Sequence, residues 1–306
     1  MKELWVEKYR PKSIDGYVFR DDHQRKQVET WIKDKSIPHL LLSGNAGIGK
    51  TTLAKILINE LGIEDYDVLE INASRTNSVD DVRDKITNFV QMIPFGPFKV
   101  VLLDEADYLS PNAQAALRGV MEEYHATARF ILTCNYPNRI IPAIHSRCQG
   151  FHVERTDITE FTARVATILV EEAVEFDLET LDLYVKVTYP DLRKCINLLQ
   201  QNVQEGKLLD PNKSDAGEAD WKFDMVTLFN AGKINEARKL LCGKVRAEEM
   251  EEVYRWLYDN LEIFGDEQKQ ESAVLILKQA LVDHALVVDP EINLAACLVK
   301  LGRLNG

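Results

Sequence analysis

Over its first 155 residues the chain alternates short apolar runs with longer segments whose apolar positions recur at helical spacing. Five runs read as strands: His39 to Ser43, Asp67 to Asn72, Phe98 to Asp104, Arg129 to Asn135, and Gly150 to Val153. Between them lie helices. Val28, Trp31 and Ile32 share one face from Gln24 to Lys33, and Thr52 to Ile58 follows the first strand in helical register. Ser78 is placed as an N-cap with Asp81 three residues on, opening a helix with a stripe of Val82, Ile86 and Phe89, and another helix spans Asn112 to Tyr124. The run from Phe98 is apolar at consecutive positions, as in a central parallel strand buried on both faces. Strands alternating with helices imply the α/β class and a doubly wound parallel sheet, whose ligands sit at the carboxyl ends of the strands.

From Asp157 the strand pattern ends. Thr159 to Val174 and Leu178 to Val187 read as helices, and Pro190 opens another with Ile196 and Leu199 facing inward. Gly206 to Asp220, rich in Asp, Lys, Gly, Ser and Pro, reads as a linker. Beyond it Val253, Trp256, Leu257 and Leu261 form one helical stripe, and Leu294, Leu298 and Leu301 form another. The expected organisation is an α/β domain over 1–155, a small helical domain over 156–205, a linker over 206–222, and an all-helical domain over 223–306 suited to packing or oligomerisation.

Composition narrows the setting. The 306 residues are 45% apolar and 28% charged, as in ordinary globular chains, and the net charge of −12 argues against a surface that coats nucleic acid throughout. A local basic or helix-terminal contact is compatible with it. There is no run of the roughly 18 apolar residues a span requires, and the first ten residues lack an apolar signal core, so a cytoplasmic location is expected. The five cysteines are widely spaced with no C-x-x-C pair, which indicates neither a disulfide framework nor a zinc module.

The chemistry concentrates in Gly44-Asn45-Ala46-Gly47-Ile48-Gly49-Lys50-Thr51, followed by Thr52. Its glycines let backbone N–H groups turn inward around phosphates, Lys50 reaches the outer phosphates, and the Thr51 hydroxyl is placed to hold Mg2+. Strand, loop and helix come in the order that points a helix N-terminus at the phosphates of ATP. Asp104 and Glu105 end the buried strand, Asp104 as a partner of Thr51 on the metal and Glu105 as the group that polarises the attacking water. Asn135 ends the neighbouring strand, where its amide either contacts the γ-phosphate or forms a turn before Tyr136-Pro137. Tyr9 and Pro11 lie in a segment that is either an arm packed on the core or a wall for an adenine base. Arg147 is either a solvated surface arginine or a planar cation offered to a neighbouring subunit's nucleotide.

In order, Glu7-Lys8-Tyr9-Arg10-Pro11, the P-loop, Leu103-Asp104-Glu105-Ala106-Asp107, Ser146-Arg147-Cys148 and Pro190-Asp191-Leu192-Arg193 resemble the AAA+ ATPases of sliding-clamp loaders, of the replication factor C small-subunit type and its tailed-phage counterpart. The match runs over roughly residues 3 to 200, and Tyr-Pro-Asp-Leu-Arg, with Pro190 in place of Gly, leans to the phage form, hence to a bacterial host's cytoplasm. The resemblance implies an AAA+ domain, a helical lid and a helical collar. It implies that Tyr9, Arg10 and Pro11 border the adenine, that Asn135 and Arg193 are first and second sensors, and that Arg147 is the arginine finger completing the next subunit's site. Gln114 and Arg118 take the place of a network coupling Glu105 to DNA, and Arg75, Thr76, Arg83, Ser110 and Asn112 that of contacts along the phosphate backbone. The implied partners are a sliding clamp, primer-template DNA, and further copies of the chain, four in all, with one different subunit. The apolar residues from Ile86 to Gln91 and Met92 to Phe95 form the segment expected to meet the clamp. The rivals are another nucleic-acid AAA+ motor, such as a branch-migration helicase or a helicase loader, and a subunit that binds nucleotide only as structural glue.

Overall fold

The computed structural model describes residues 3–75, 79–154, 156–210, 225, 228, 233–244, 250–284 and 286–304, without the side chains of 79–82, 234, 244, 252 and 262. Thr76 and Ser78, and the side chain of Val82, fall outside the described residues. The chain forms two compact units, residues 1–172 with 188–201, and residues 173–187 with 202–306.

The first unit is built on a five-stranded parallel sheet. Its strands are β1 (Leu40–Ser43), β2 (Val68–Asn72), β3 (Lys99–Asp104), β4 (Ala128–Cys134) and β5 (Gln149–His152), in the order β2-β3-β4-β1-β5. Successive side chains of a strand point to opposite faces. Leu40, Leu42, Val100, Leu102 and Ile131 therefore pack under helices α2 (Asp22–Lys33) and α3 (Lys50–Glu60). On the other face Leu41, Val101, Leu103, Phe130 and Leu132 pack under α4 (Val79–Gln91) and α5 (Pro111–Glu123). Helices α2 and α5 start where the sequence supplies a cap: Asp21 accepts the Gln24 N–H at 2.8 Å, and Ser110 accepts that of Ala113 at 3.2 Å with Pro111 behind it.

Lys99, the first residue of β3, is the exception to the apolar strand. It is 2% exposed and pairs at 3.0 Å with Asp67, itself 1% exposed. The Asp67 carboxylate also accepts the Gly96 N–H at 2.7 Å, and the Lys99 ammonium sits over the Phe89 ring. Burial pushes the Asp67 carboxyl up, but these hydrogen bonds outweigh it and hold the group below the usual carboxylate range. The pair fixes the base of the loop that follows α4. That loop carries Met92, Ile93 (87% exposed) and Phe95 (83% exposed), with Tyr66 edge-on to Phe95. Ile86 and Val90 are instead buried, so the exposed apolar surface is narrower than the expected 86–95 and gains Tyr66.

The same unit holds α1 (Trp5–Lys8), α6 (Pro142–His145), α7 (Ile158–Glu171) and α9 (Leu192–Gln201), with α8 (Leu178–Thr188) assigned largely to the second unit. Gln200 on α9 accepts the Trp5 N–H at 3.0 Å, which ties α1 to α9.

The second unit contains a strand pair absent from the sequence expectation, β6 (Val203–Gln204) and β7 (Lys207–Leu208), joined by a turn at Glu205 and Gly206. The expected linker start at Gly206 is corrected by this hairpin, since Glu175 and Asn202 bond its backbone. Two-residue strands are too short to show alternation. Among the described residues the helices α10 (Ile234–Lys244), α11 (Met250–Asp259), α12 (Glu267–His284) and α13 (Pro290–Gly302) follow. Leu294, Leu298 and Leu301 are buried as expected, whereas Leu261 lies beyond α11 in a short 3-10 turn, Leu261–Phe264, and is half-buried. The buried Asn293 amide donates to the Tyr254 hydroxyl and to the Ala280 carbonyl, both at 2.9 Å, and so braces α11, α12 and α13.

Candidate functional site

The loop between β1 and α3 can fold only with glycine at its two ends. At Gly44 a Cβ would lie 2.2 Å from the Val153 carbonyl oxygen. Gly49, which caps α3, has φ +95°, a left-handed conformation that side-chain-bearing residues rarely adopt. Between them Asn45, Ala46, Gly47 and Ile48 curl over the N-terminus of α3, whose first residues are Lys50, Thr51 and Thr52.

Lys50 is buried, and its ammonium donates to the carbonyls of Gly44 (2.9 Å) and Asn45 (2.5 Å) and to the Asn135 amide oxygen (2.8 Å). Burial lowers its pKa below the usual lysine value, with the nearby carboxylates of Asp104 and Asp107 acting against that. The Thr51 hydroxyl donates to Asp104 Oδ1 at 2.7 Å, and so does the Thr133 hydroxyl at 2.6 Å. Thr133 in turn accepts the Glu105 N–H at 3.0 Å. Glu105 itself has φ +57°, a strained conformation of the kind that concentrates at functional sites. Asp104, Glu105, Thr133, Asn135, Arg193 and the P-loop line one polar cleft at the carboxyl edge of the sheet. A hydroxyl and a carboxylate oxygen in contact are the hard donors that suit Mg2+ alongside phosphate oxygens and water.

A second, less polar cavity adjoins it, walled by Tyr9, Arg10, Pro11, Tyr17, Gly49 and Thr156 among others, with Arg193 bordering both. Its N-terminal wall is held by α7: Arg164 donates to the Tyr9 carbonyl at 2.9 Å, and the Tyr9 hydroxyl donates to Glu172, just past α7, at 2.8 Å. Arg10 pairs with Glu7 at 2.8 Å.

The structure brings these residues together and leaves others apart. Arg147 follows α6 and precedes β5, and Gln149 pairs with Leu40 at the start of β1, whereas the P-loop follows Ser43 at its end. Four residues of strand, roughly 13 Å, separate the two edges. There Arg147 donates to Glu122 on α5 and to the Ala143 carbonyl, and lines a shallow cavity with His39, His125 and Arg129. Gln114 does not join Glu105. Its buried amide donates to the carbonyls of Leu109 and Arg139 and accepts the Ile141 N–H, because α5 packs against the segment leading into α6. Arg118, Arg75, Arg83, Ser110 and Asn112 are exposed, the last two in the first turn of α5, whose cap Ser110 is.

Three residues near the cleft had no assigned role in the sequence. Thr133 orients Asp104 and Glu105, Asp107 accepts the N–H groups of Asn135 (3.2 Å) and Tyr136 (3.1 Å), and the Asp191 carboxylate occupies the space where a Gly47 side chain would stand. Thr133 left one signal, a lone hydroxyl within the apolar run from Phe130 to Cys134.

A P-loop at the end of β1, an acidic pair at the end of β3 and a polar residue just past the β4 between them define an ATPase of the AAA+ class. The model of the ATPase family associated with various cellular activities (AAA) matches residues 40–155. The chain is 37% identical to the replication factor C small subunit of Sulfurisphaera tokodaii, over 97% of this chain and 94% of that one. It is 34% identical to that of Methanococcus vannielii, over the whole of both. It belongs to the family of replication factor C small subunits, and is an ATPase subunit of a clamp loader. The Thermotoga maritima RuvB Holliday junction branch migration motor is similar in fold alone, with a TM-score of 0.56 and 17% identity over 72% of this chain and 79% of that one.

Proposed function

We infer that this chain uses ATP binding and hydrolysis to open a ring-shaped sliding clamp and close it around primer-template DNA, as four copies with one different subunit. The observation that carries the reading is a cleft furnished with Lys50, Thr51, Asp104, Glu105 and Asn135, while the chain's own Arg147 lies at the opposite edge of the sheet. The adenosine lies in the cavity walled by Tyr9, Arg10 and Pro11, and the triphosphate lies on the P-loop backbone with Lys50, leaving Thr51 and Asp104 to hold Mg2+. Held there, the metal would supply charge neutralisation for the phosphate chain. Glu105 polarises the attacking water, Asn135 and Arg193 contact the γ-phosphate from β4 and α9, and a neighbour's Arg147 stabilises the charge that develops in transfer. The Glu122 pairing is half-exposed and worth no more than about 1 kcal/mol, so a neighbour's nucleotide can compete for the arginine.

DNA is held by the N-termini of the adjacent α4 and α5 with Arg75, Arg83, Ser110 and Asn112, and Thr76 belongs to the same group. Gln114 transmits a change at α5 to the Arg147 segment through Arg139 and Ile141, with Arg118 on the exposed face. The clamp meets the apolar loop of Met92, Ile93, Phe95 and Tyr66. ATP acts by binding the clamp-opening arrangement more tightly than the collapsed one; equal affinity would shift nothing. These components belong to the cytoplasm, and among the described residues no helix is long and apolar enough to cross a membrane.

Steady-state ATP turnover by the assembled subunits tests the reading, with no addition, primed DNA, clamp, and both together. Clamp and primed DNA acting synergistically is the expected result. Stimulation by DNA alone, with no gain from the clamp, overturns it in favour of another DNA motor.

A further inference from the structure

Tyr17 follows the short turn Ile14–Gly16, and its ring is buried at 8% exposure in the wall of the less polar cavity. The ring stands edge-on to Phe19 and close to the P-loop, where a Cβ on Gly49 would lie 3.1 Å from Tyr17 Cε2 and 3.4 Å from its hydroxyl. That hydroxyl is shielded from water and has no hydrogen-bond partner. An unsatisfied buried hydroxyl costs about 1–3 kcal/mol, and phenylalanine would fill the same space without it. Packing therefore explains the ring but not the oxygen.

The position of the oxygen says what it is for. Tyr17 lines the cavity shared with Tyr9, Pro11 and Thr156, and it does not line the polar cleft of Lys50, Asp104 and Asn135. A ligand laid along the P-loop puts its phosphates in the cleft and its nucleoside in the cavity. Burial raises the pKa of the phenol well above its ordinary value, so the group stays neutral and can both donate and accept.

We propose that the Tyr17 hydroxyl is a nucleoside contact: it gains its hydrogen bond from the ribose or base of bound nucleotide, and so adds affinity that a phosphate chain alone does not receive. The proposal rests on the nucleotide-site reading above and adds to it a side-chain contact on the nucleoside half. Its energetic signature is a pair of opposite signs, because the same oxygen weakens the empty chain and strengthens the liganded one.

Tyr17→Phe separates the two. In the full chain without nucleotide its thermal midpoint is expected to equal or exceed that of the wild type. Its affinity for ATP should fall about tenfold, or about 1.4 kcal/mol, while its affinity for inorganic tripolyphosphate stays unchanged. The ATP gap vanishing with 2′-deoxyATP assigns the contact to the ribose 2′-hydroxyl, and a persisting gap assigns it to the rest of the nucleoside. Unchanged ATP affinity overturns the proposal, as does an equal loss of ATP and tripolyphosphate. A wild-type chain that binds neither ligand would overturn the nucleotide-site reading itself.

Discussion

His39 precedes β1 with its Nδ1 accepting the Phe130 N–H at 3.1 Å, so the ring must be neutral there. Burial, and then the positive charges of Arg129 and His125, lower its pKa from the ordinary 6.5 to about 4. Between those values the unfolded chain binds the proton and the folded chain does not, so stability rises with pH across that window and is lost as pH falls through it. The thermal midpoint should drop between pH 7 and pH 5, and His39→Gln should flatten that slope; equal slopes in the two proteins would show that His39 carries none of it. Legibility in the sequence follows the same residue logic. Lys50, Thr51, Asp104 and Glu105 were readable because short covalent spacings hold them beside a strand end. Thr133 and Asp107 were not, because their partners arrive through the β3–β4 pairing, a contact no local pattern encodes.

At the scale of elements, α5 connects the cleft side of the sheet to the Arg147 side. Gln114 is the joint, since its buried amide saturates two carbonyls and one N–H from segments on either side of it. Gln114→Ala should cost about 2–4 kcal/mol in unfolding free energy by leaving those groups unpaired. It should also speed hydrogen exchange at the Ile141 amide well beyond that of amides in β3; exchange rising equally everywhere would mean a general loss of stability with no local joint. The five strands and most helices were legible because amphipathic period and apolar runs are local. The helix α12 was not: Ala273, Leu277 and Ala280 face inward while Leu275, Leu281 and Val282 are exposed, which blurs any stripe. The loop after α4 was legible as apolar but not as a surface, since its presentation depends on Asp67 and Lys99, far apart in sequence and joined only in the fold.

For the whole molecule, the separation of Arg147 from its own cleft sets what a mixing experiment should read. Arg147→Ala is expected to bind ATP nearly as the wild type does and to turn it over about 10³-fold more slowly in unmixed assemblies. Mixed with a Lys50→Ala chain, which keeps its arginine but cannot use ATP, the pair should regain part of the activity, and two variants that remain inactive together would refute the division between subunits. Cleft on one edge and arginine on the other make the chain a unit with a head and a tail, and contacts between unlike faces either close into a ring or run on. If a neighbour's Arg147 completes each cleft, as proposed, an open stack of n such units completes only n − 1 clefts. One end shows a cleft with no arginine and the other an arginine with nothing to serve. On the proposed reading, a different subunit at one end has a definite task under this arithmetic: it stops the stack from growing and decides whether the terminal cleft ever fires.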